Sequence, residues 1–316
     1  MGLRLVFMGT PDFAVPTLER LHADGREVVA VVTPPDRPAG RGLRLQPCPV
    51  KTAALRLHLP VLQPADLKDE EFINTLRKLH PDLGIVVAFR KLPRTVWSLP
   101  RLGTINLHAS LLPDYRGAAP IQRALMAGER TTGLTTFFIN DELDTGHIVL
   151  QQAVPIEDNE TGGSLHDRLK VLGADLVAQT VDRIAAGDVH PLPQPAAGSP
   201  KKAPKIRPAD RILDFQKPVH QLYNQVRALS PVPAAYLQLN GEPIKILMAE
   251  PVFTNPEMPP GTPCTDETGR LLLACADGFL APTLLQRPGR NPLRYDDFLN
   301  GWPQAKTWKK ISLHKQ

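Results

Sequence analysis

Four runs of β-branched and aliphatic residues, LRLVFMG (3–9), EVVAVVT (27–33), LGIVVA (83–88) and GTINLH (103–108), limit what this chain can fold into more than any other feature. The first three are nearly continuous in apolar residues and so predict strands covered on both faces, whereas GTINLH alternates Ile105 and Leu107 with polar residues. Helical signals lie between them. Thr10 and Pro11 offer an N-cap and a first-turn residue for a helix ending near Gly25, with Pro16 expected to delay its start by a turn. Residues 66–79 place Leu67, Phe72, Leu76 and Leu79 on one helical face. Residues 120–127 read as helix and LTTFFI (134–139) as a further strand. Strands alternating with helices argue for an α/β fold with a mostly parallel sheet.

The rest of the chain is organised differently. Ser164 and Asp167 form a capping-box-like start for a helix carrying Leu165, Leu169, Leu172, Leu176 and Ile184, and Gly187 ends it. HPLPQPAAGSPKKAPKIRPADR (190–211) has no apolar period and reads as an extended, basic linker. Beyond it come a helix near 218–229 and the short strands AAYLQLN (234–240), PIKILMAEPV (243–252), RLLLACA (270–276) and FLAPTLLQR (279–287). Strands at this spacing suggest a small barrel of the kind that often binds oligonucleotides. The chain of 316 residues, too long for one ordinary core, thus divides into a first domain (1–189), a linker (190–207) and a C-terminal domain (208–316).

Charge follows that division. Residues 1–189 carry 21 Lys+Arg against 22 Asp+Glu, and residues 190–316 carry 16 against 10, so the net +5 arises wholly in the smaller part. Such an excess serves solubility or meets a polyanion. Cys48, Cys264 and Cys275 show no CxxC spacing, which disfavours a disulfide scaffold or a zinc site and suits a reducing compartment. The N-terminus lacks a signal-peptide h-region and no window approaches a membrane span, so a cytoplasmic protein with no membrane partner is expected.

Ligands of open α/β sheets collect at the carboxyl ends of the strands. The run 103–108 spends that end on Asn106 and His108, which are two apart and share a face. An amide beside an imidazole suits a carbonyl oxygen that becomes negative under attack, since Asn and protonated His both donate N–H. A lone strand-end histidine more often caps a loop; the turn SLLP from Ser110 to Pro113 favours the chemical reading. LDTG (143–146) follows an acidic loop, and its Asp144 is placed to keep an imidazolium available and to take up protons from an attacking amine. The plainer role for Asp144 is an Asx turn with local hydrogen bonds. Gly9 is not followed by GxGxxG, and there is no Walker A lysine, HExxH or GxSxG. The nine histidines show no pair at metal-ligand spacing, so no metal is expected.

NLHASLLPDYRGAAPIQ (106–122) resembles the signature of the formyltransferases that use 10-formyltetrahydrofolate, above all the branch acting on methionyl-tRNA. FMGTPDFAVPTL (7–18), TPPDRPAGRG (33–42), GLTTFFINDELDTG (133–146), KIRPADRILDF (205–215) and VRALSPVPAAY (226–236) extend the resemblance over nearly the whole chain. It implies a Rossmann-like formyltransferase domain followed by a small OB-like β-barrel. It also implies transfer of a formyl group from 10-formyltetrahydrofolate to the α-amine of initiator methionyl-tRNA, by a monomer without a metal. Asn106, His108 and Asp144 match the family's catalytic residues. Ser110, Leu111, Leu112 and Pro113 match its donor-binding segment, and residues 140–144 the wall of its pterin pocket. In the loop 35–47, Arg41 aligns with the arginine that engages the tRNA acceptor end, with Arg37 and Arg44 adding charge nearby. Lys201, Lys202 and Lys205 are assigned to tRNA phosphates.

One departure is visible. VAFRKLP carries Arg90 where many members have a glycine, leaving it to the donor's carboxylate tail or to solvent. The rival reading is a folate-dependent formyltransferase acting on a small amine, nucleotide-linked or an amino sugar. Such a substrate would need neither the second domain nor the basic loop. A non-catalytic RNA-binding protein on this fold is disfavoured by the intact Asn106, His108 and Asp144.

Overall fold

The computed structural model describes residues 2–39, 44–195 and 198–313. The chain forms two units. One comprises residues 1–120, 131–155 and 166–203, the other residues 121–130, 156–165 and 204–316. The second unit therefore claims two short stretches from within the range that the sequence assigns to the first domain.

The first unit is built on a seven-stranded sheet of β1 (Arg4–Gly9), β2 (Glu27–Val32), β3 (Val61–Leu62), β4 (Leu83–Val87), β5 (Thr104–His108), β6 (Thr131–Phe138) and β7 (Ile148–Pro155), in the order β7-β6-β5-β4-β1-β2-β3. The pairs from β5 to β3 are parallel, whereas β6 runs antiparallel to both β5 and β7. β7 has no apolar run to announce it; only Val154 of its eight residues is buried, as befits an edge strand. The strand order reverses between β1 and β4, so the crevice beyond their carboxyl ends is the natural ligand position.

Both faces of this sheet are covered. On one, Phe72 and Leu76 of the helix Glu70–Lys78 join Val6, Met8, Val86 and Val96 in a core. That helix starts later than the expected residue 66 because Asp69 caps it, accepting the Glu71 N–H at 3.0 Å. On the other face lies the long helix Gly162–Ala186. A Cβ on its Gly173 would come within 2.7 Å of Leu107, and Thr180 Oγ1 lies 2.8 Å from Thr136 Oγ1. Pro16 has the expected effect: a short 3-10 turn, Asp12–Ala14, precedes the α-helix Val15–Ala23.

In the second unit, β8 (Ala235–Leu239), β9 (Glu242–Val252), β10 (Pro263–Asp266), β11 (Leu271–Ala274), β12 (Phe279–Gln286) and β14 (Lys310–Ile311) follow the order β8-β9-β12-β11-β10-β14, with β13 (Leu293–Arg294) pairing β12. Register shifts around Met248 bend β9 and help curl the sheet. The helix Val219–Leu229 sends Leu222, Val226 and Leu229 into a core with Ile244, Ile246, Leu273, Leu280 and Phe298. This curled, mainly antiparallel sheet is the small OB-like domain expected. The expected capping box belongs one turn earlier in this unit. The Ser164 N–H donates to Thr161 Oγ1 at 3.1 Å, and the Thr161 N–H donates to Ser164 Oγ at 2.9 Å.

The linker expectation also changes. Leu192 bridges Ile148, and Lys202–Ala203 pairs in parallel with Arg116–Gly117, all within the first unit. Backbone pairing of this kind needs no apolar period, so nothing in the local sequence announces it.

Candidate active site

Asn106 and His108 leave β5 on one face, because Leu107 between them turns to the helix Gly162–Ala186. Asn106 is half-buried, and among the described residues its carboxamide has no hydrogen-bond partner. His108 is buried. Its Nε2–H donates to the Tyr115 carbonyl oxygen at 2.8 Å. Tyr115 adopts a left-handed backbone (φ 60°), which a non-glycine residue keeps only when held, and its N–H donates to the Lys201 carbonyl at 2.6 Å. With Nε2 committed, Nδ1 is the ring nitrogen left to act on a ligand.

His108 Nδ1 faces Asp144 Oδ2 at 3.9 Å. That is too long for a hydrogen bond but within ion-pair reach, so a proton-bearing group can sit beside both atoms at once. Asp144 is buried, also in the left-handed region (φ 55°), and its Oδ2 accepts the Gly117 N–H at 2.9 Å. Gln194 Nε2 donates to the carbonyls of Asp144 and Gly146, each at 2.9 Å. Only glycine fits at 146, where a Cβ would meet the Phe138 carbonyl oxygen at 1.6 Å. The arrangement offers one free amide, one imidazole nitrogen and one carboxylate converging from two chain segments. A polar pair of donors opposite a proton acceptor can stabilise charge on a carbonyl oxygen and relieve an amine of its proton.

The neighbouring turn is spent mostly on itself. Ser110 Oγ donates to the Asp114 carbonyl at 2.6 Å, and the Ser110 carbonyl accepts from Thr135 Oγ1 at 2.7 Å. The Leu112 N–H and carbonyl are taken by Thr135 and Gln151. Ser110 and Leu112 are buried, so of these four only Leu111 and Pro113 keep part of their surface open.

Arg37 is exposed on a hairpin that pairs Arg37–Ala39 with Arg44–Gln46. Arg44 enters it as a strand residue, and Arg41 lies outside the described residues. Lys51 is paired with Asp36 at 2.7 Å. Lys201, Lys202 and Lys205 are exposed. Arg90 does not simply point to solvent: its guanidinium donates to the carbonyls of Pro64 at 2.6 Å and Ala65 at 3.1 Å and lies over the Phe89 ring. It also borders a cleft of ≈ 350 Å³ with Thr10, Arg37, Gln46 and Cys48, at the carboxyl ends of β1 and β2. A larger cavity of ≈ 1050 Å³ touches Arg4, Asp82 and Arg101, at the opposite, amino ends of the strands. On the surface, ligand atoms of Asp12, His166 and Asp167 gather within 4.8 Å, but the Lys170 ammonium already supplies a positive charge there, 2.6 Å from Asp167.

Four groups at the site escaped sequence reasoning: the Tyr115 carbonyl, the Gly117 N–H, Arg116 and Gln194. The first three lie in the DYRG patch, whose charge and glycine are visible but whose backbone direction is not. Gln194 sits in a proline-rich stretch with no pattern at all.

Comparison with known proteins agrees over both units. The profile described as "Formyl transferase" matches residues 3–181, and "Formyl transferase, C-terminal domain" matches residues 205–303. The methionyl-tRNA formyltransferase of Bacteroides thetaiotaomicron is 46% identical over 315 residues, covering 97% of this chain and 98% of that protein. Among solved structures, an N-formyltransferase from Helicobacter canadensis, in complex with folinic acid and dTDP-3-aminofucose, superposes with a TM-score of 0.65 at 20% identity, over 89% of this chain and 98% of that one. HypX from Aquifex aeolicus in complex with tetrahydrofolic acid gives 0.65 at 18% identity, over 99% of this chain and about half (49%) of that chain's length. These two likenesses concern the fold; the sequence identity concerns the family. The chain belongs to the formyl transferase family, on its methionyl-tRNA formyltransferase branch.

Proposed function

We propose that this chain transfers the formyl group of 10-formyltetrahydrofolate to the α-amine of initiator methionyl-tRNA. Residues 1–189 carry the chemistry, and the basic residues of 190–207 with the C-terminal part 208–316 bind the tRNA. The observation that carries this reading is the 46% identity to a methionyl-tRNA formyltransferase along 97% of the chain, both units included.

The folate supplies the formyl group as an activated acyl donor. The attacking α-amine must be neutral; such amines titrate at about 7.7–8.0, so a useful fraction is ready near neutral pH. Asn106, whose amide has no partner among the described residues, donates to the carbonyl oxygen as it gains charge, and His108, when both its ring nitrogens carry a proton, donates beside it through Nδ1. Asp144, facing Nδ1 at ion-pair range, orients the ring and takes up the amine's proton directly or through water; collapse of the tetrahedral adduct then breaks the bond between the formyl carbon and N10, and that proton passes to N10 of the departing tetrahydrofolate. Leu111 and Pro113 contribute apolar surface to the donor. Lys201, Lys202, Lys205 and Arg37 meet tRNA phosphates, and Arg41 with Arg44 reaches the acceptor end.

A formyl-transfer assay comparing charged initiator tRNA with a nucleotide-linked amino sugar tests this. Turnover on the tRNA alone is expected. Equal turnover on the amino sugar would favour the rival reading. Sedimentation of the purified protein is expected to give a monomer of 34.7 kDa.

A further inference from the structure

We infer that residues 192–195 and 198–203, which the sequence marks as a linker, are a brace that sets the reactive geometry of His108 and Asp144, with Gln194 as its positioning residue. The inference rests on the catalytic reading of those two side chains given above. Three separate points of the segment end on the site.

At the first point, Gln194 gives both amide hydrogens to the Asp144 and Gly146 carbonyls, while its Oε1 accepts from Arg116 Nε at 3.1 Å and Nη2 at 2.5 Å. A glutamine amide saturated in this way fixes the backbone from which the Asp144 carboxylate projects. At the second, the Lys201 carbonyl holds the Tyr115 N–H, and the Tyr115 carbonyl receives His108 Nε2–H. This fixes the imidazole and leaves Nδ1 toward Asp144. At the third, Lys202–Ala203 pairs with Arg116–Gly117, and the Gly117 N–H is the donor that Asp144 Oδ2 holds. Gly117 admits no side chain: its φ is 129°, and a Cβ would come within 2.4 Å of the Ala203 carbonyl oxygen. A plain spacer needs none of these contacts. Asp144 and Tyr115, both non-glycine residues at positive φ, are the residues most in need of outside support, and the segment supports both.

Gln194→Leu preserves size and removes all four hydrogen bonds. Gln194→Glu keeps the Arg116 contact and removes the two donors. Both are measured on the full chain with charged initiator tRNA and 10-formyltetrahydrofolate, alone and combined with Asp144→Asn. A displacement near 1 Å at the reacting groups costs about 100-fold, so kcat is expected to fall about 10- to 100-fold while KM for both substrates stays near the wild-type value. In the Asp144→Asn background the Gln194 changes are expected to cost nothing more, which a merely structural role would not produce. Should Gln194→Leu fail to fold by circular dichroism, Arg116→Met, which withdraws only the partner of Oε1, is read the same way with a smaller fall. Wild-type kcat in folded Gln194 variants, or an equal fall in both backgrounds, overturns the brace. A fully active Asp144→Asn enzyme overturns instead the catalytic reading of Asp144.

Discussion

At the scale of single residues, the distinction that matters is between polar groups already satisfied by the fold and those left open. Ser110 is satisfied, whereas the Asn106 amide has no hydrogen-bond partner among the described residues. Asn106→Ala is therefore expected to lower kcat by roughly 10²–10³, the usual cost of losing one oxyanion donor, with little change in KM. Ser110→Ala is expected to act mainly on stability, read as a lower melting temperature at near-normal turnover. Single-turnover rates and thermal melts of the two variants separate these outcomes. Asn106 and His108 were legible because a two-residue period on a strand puts both on one face. Asp144 was legible because LDTG forms a tight turn. The 3.9 Å between His108 and Asp144 was not, since it depends on β6 pairing antiparallel with β5. Nor was the commitment of His108 Nε2 to Tyr115, which depends on one backbone carbonyl turned by a positive φ.

At the scale of elements, close approach sets the tolerances. Gly146→Ala would drive a methyl group into the Phe138 carbonyl at the closure of the loop bearing Asp144. A loss of about 1–3 kcal/mol in unfolding free energy is expected, together with a fall in kcat, measurable by urea denaturation and by assay. The amino ends of β1 and β4 are tied through Asp82. The Arg4 backbone N–H, and then the Arg101 guanidinium, hold its carboxyl below the ordinary range against the opposing effect of burial. A carboxylate with a depressed native pKa stabilises the fold above its unfolded value, near 3.9, and loses that contribution as pH falls through the native value. Asp82→Asn is thus expected to lower the urea midpoint at pH 7, with the gap to wild type closing below about pH 4. Three of the four runs were readable as strands because burial on both faces leaves an unbroken apolar signature, and GTINLH was readable from its alternation. β7 was missed because an edge strand with one buried residue leaves almost none.

At the scale of the whole molecule, charge and burial are unevenly spread. The basic excess lies after residue 189, so KM for the tRNA is expected to rise steeply with salt while kcat holds. Lys202→Ala should reduce the log–log salt slope by about 1. Burial pushes the thiols of Cys264 and Cys275 up to about 11, whereas Cys48 is partly exposed. Brief alkylation of the native protein at pH 8 is expected to mark Cys48 alone, as read by mass spectrometry, with the other two reacting only after denaturation.

The second unit also draws residues 121–130 and 156–165 from the middle of the chain. During synthesis these two stretches leave the ribosome well before the strands of the unit to which they belong. A gene cut at residue 204 would part these two stretches from the C-terminal strands, so a graft of that module between relatives is expected to be more stable when the two internal stretches travel with it.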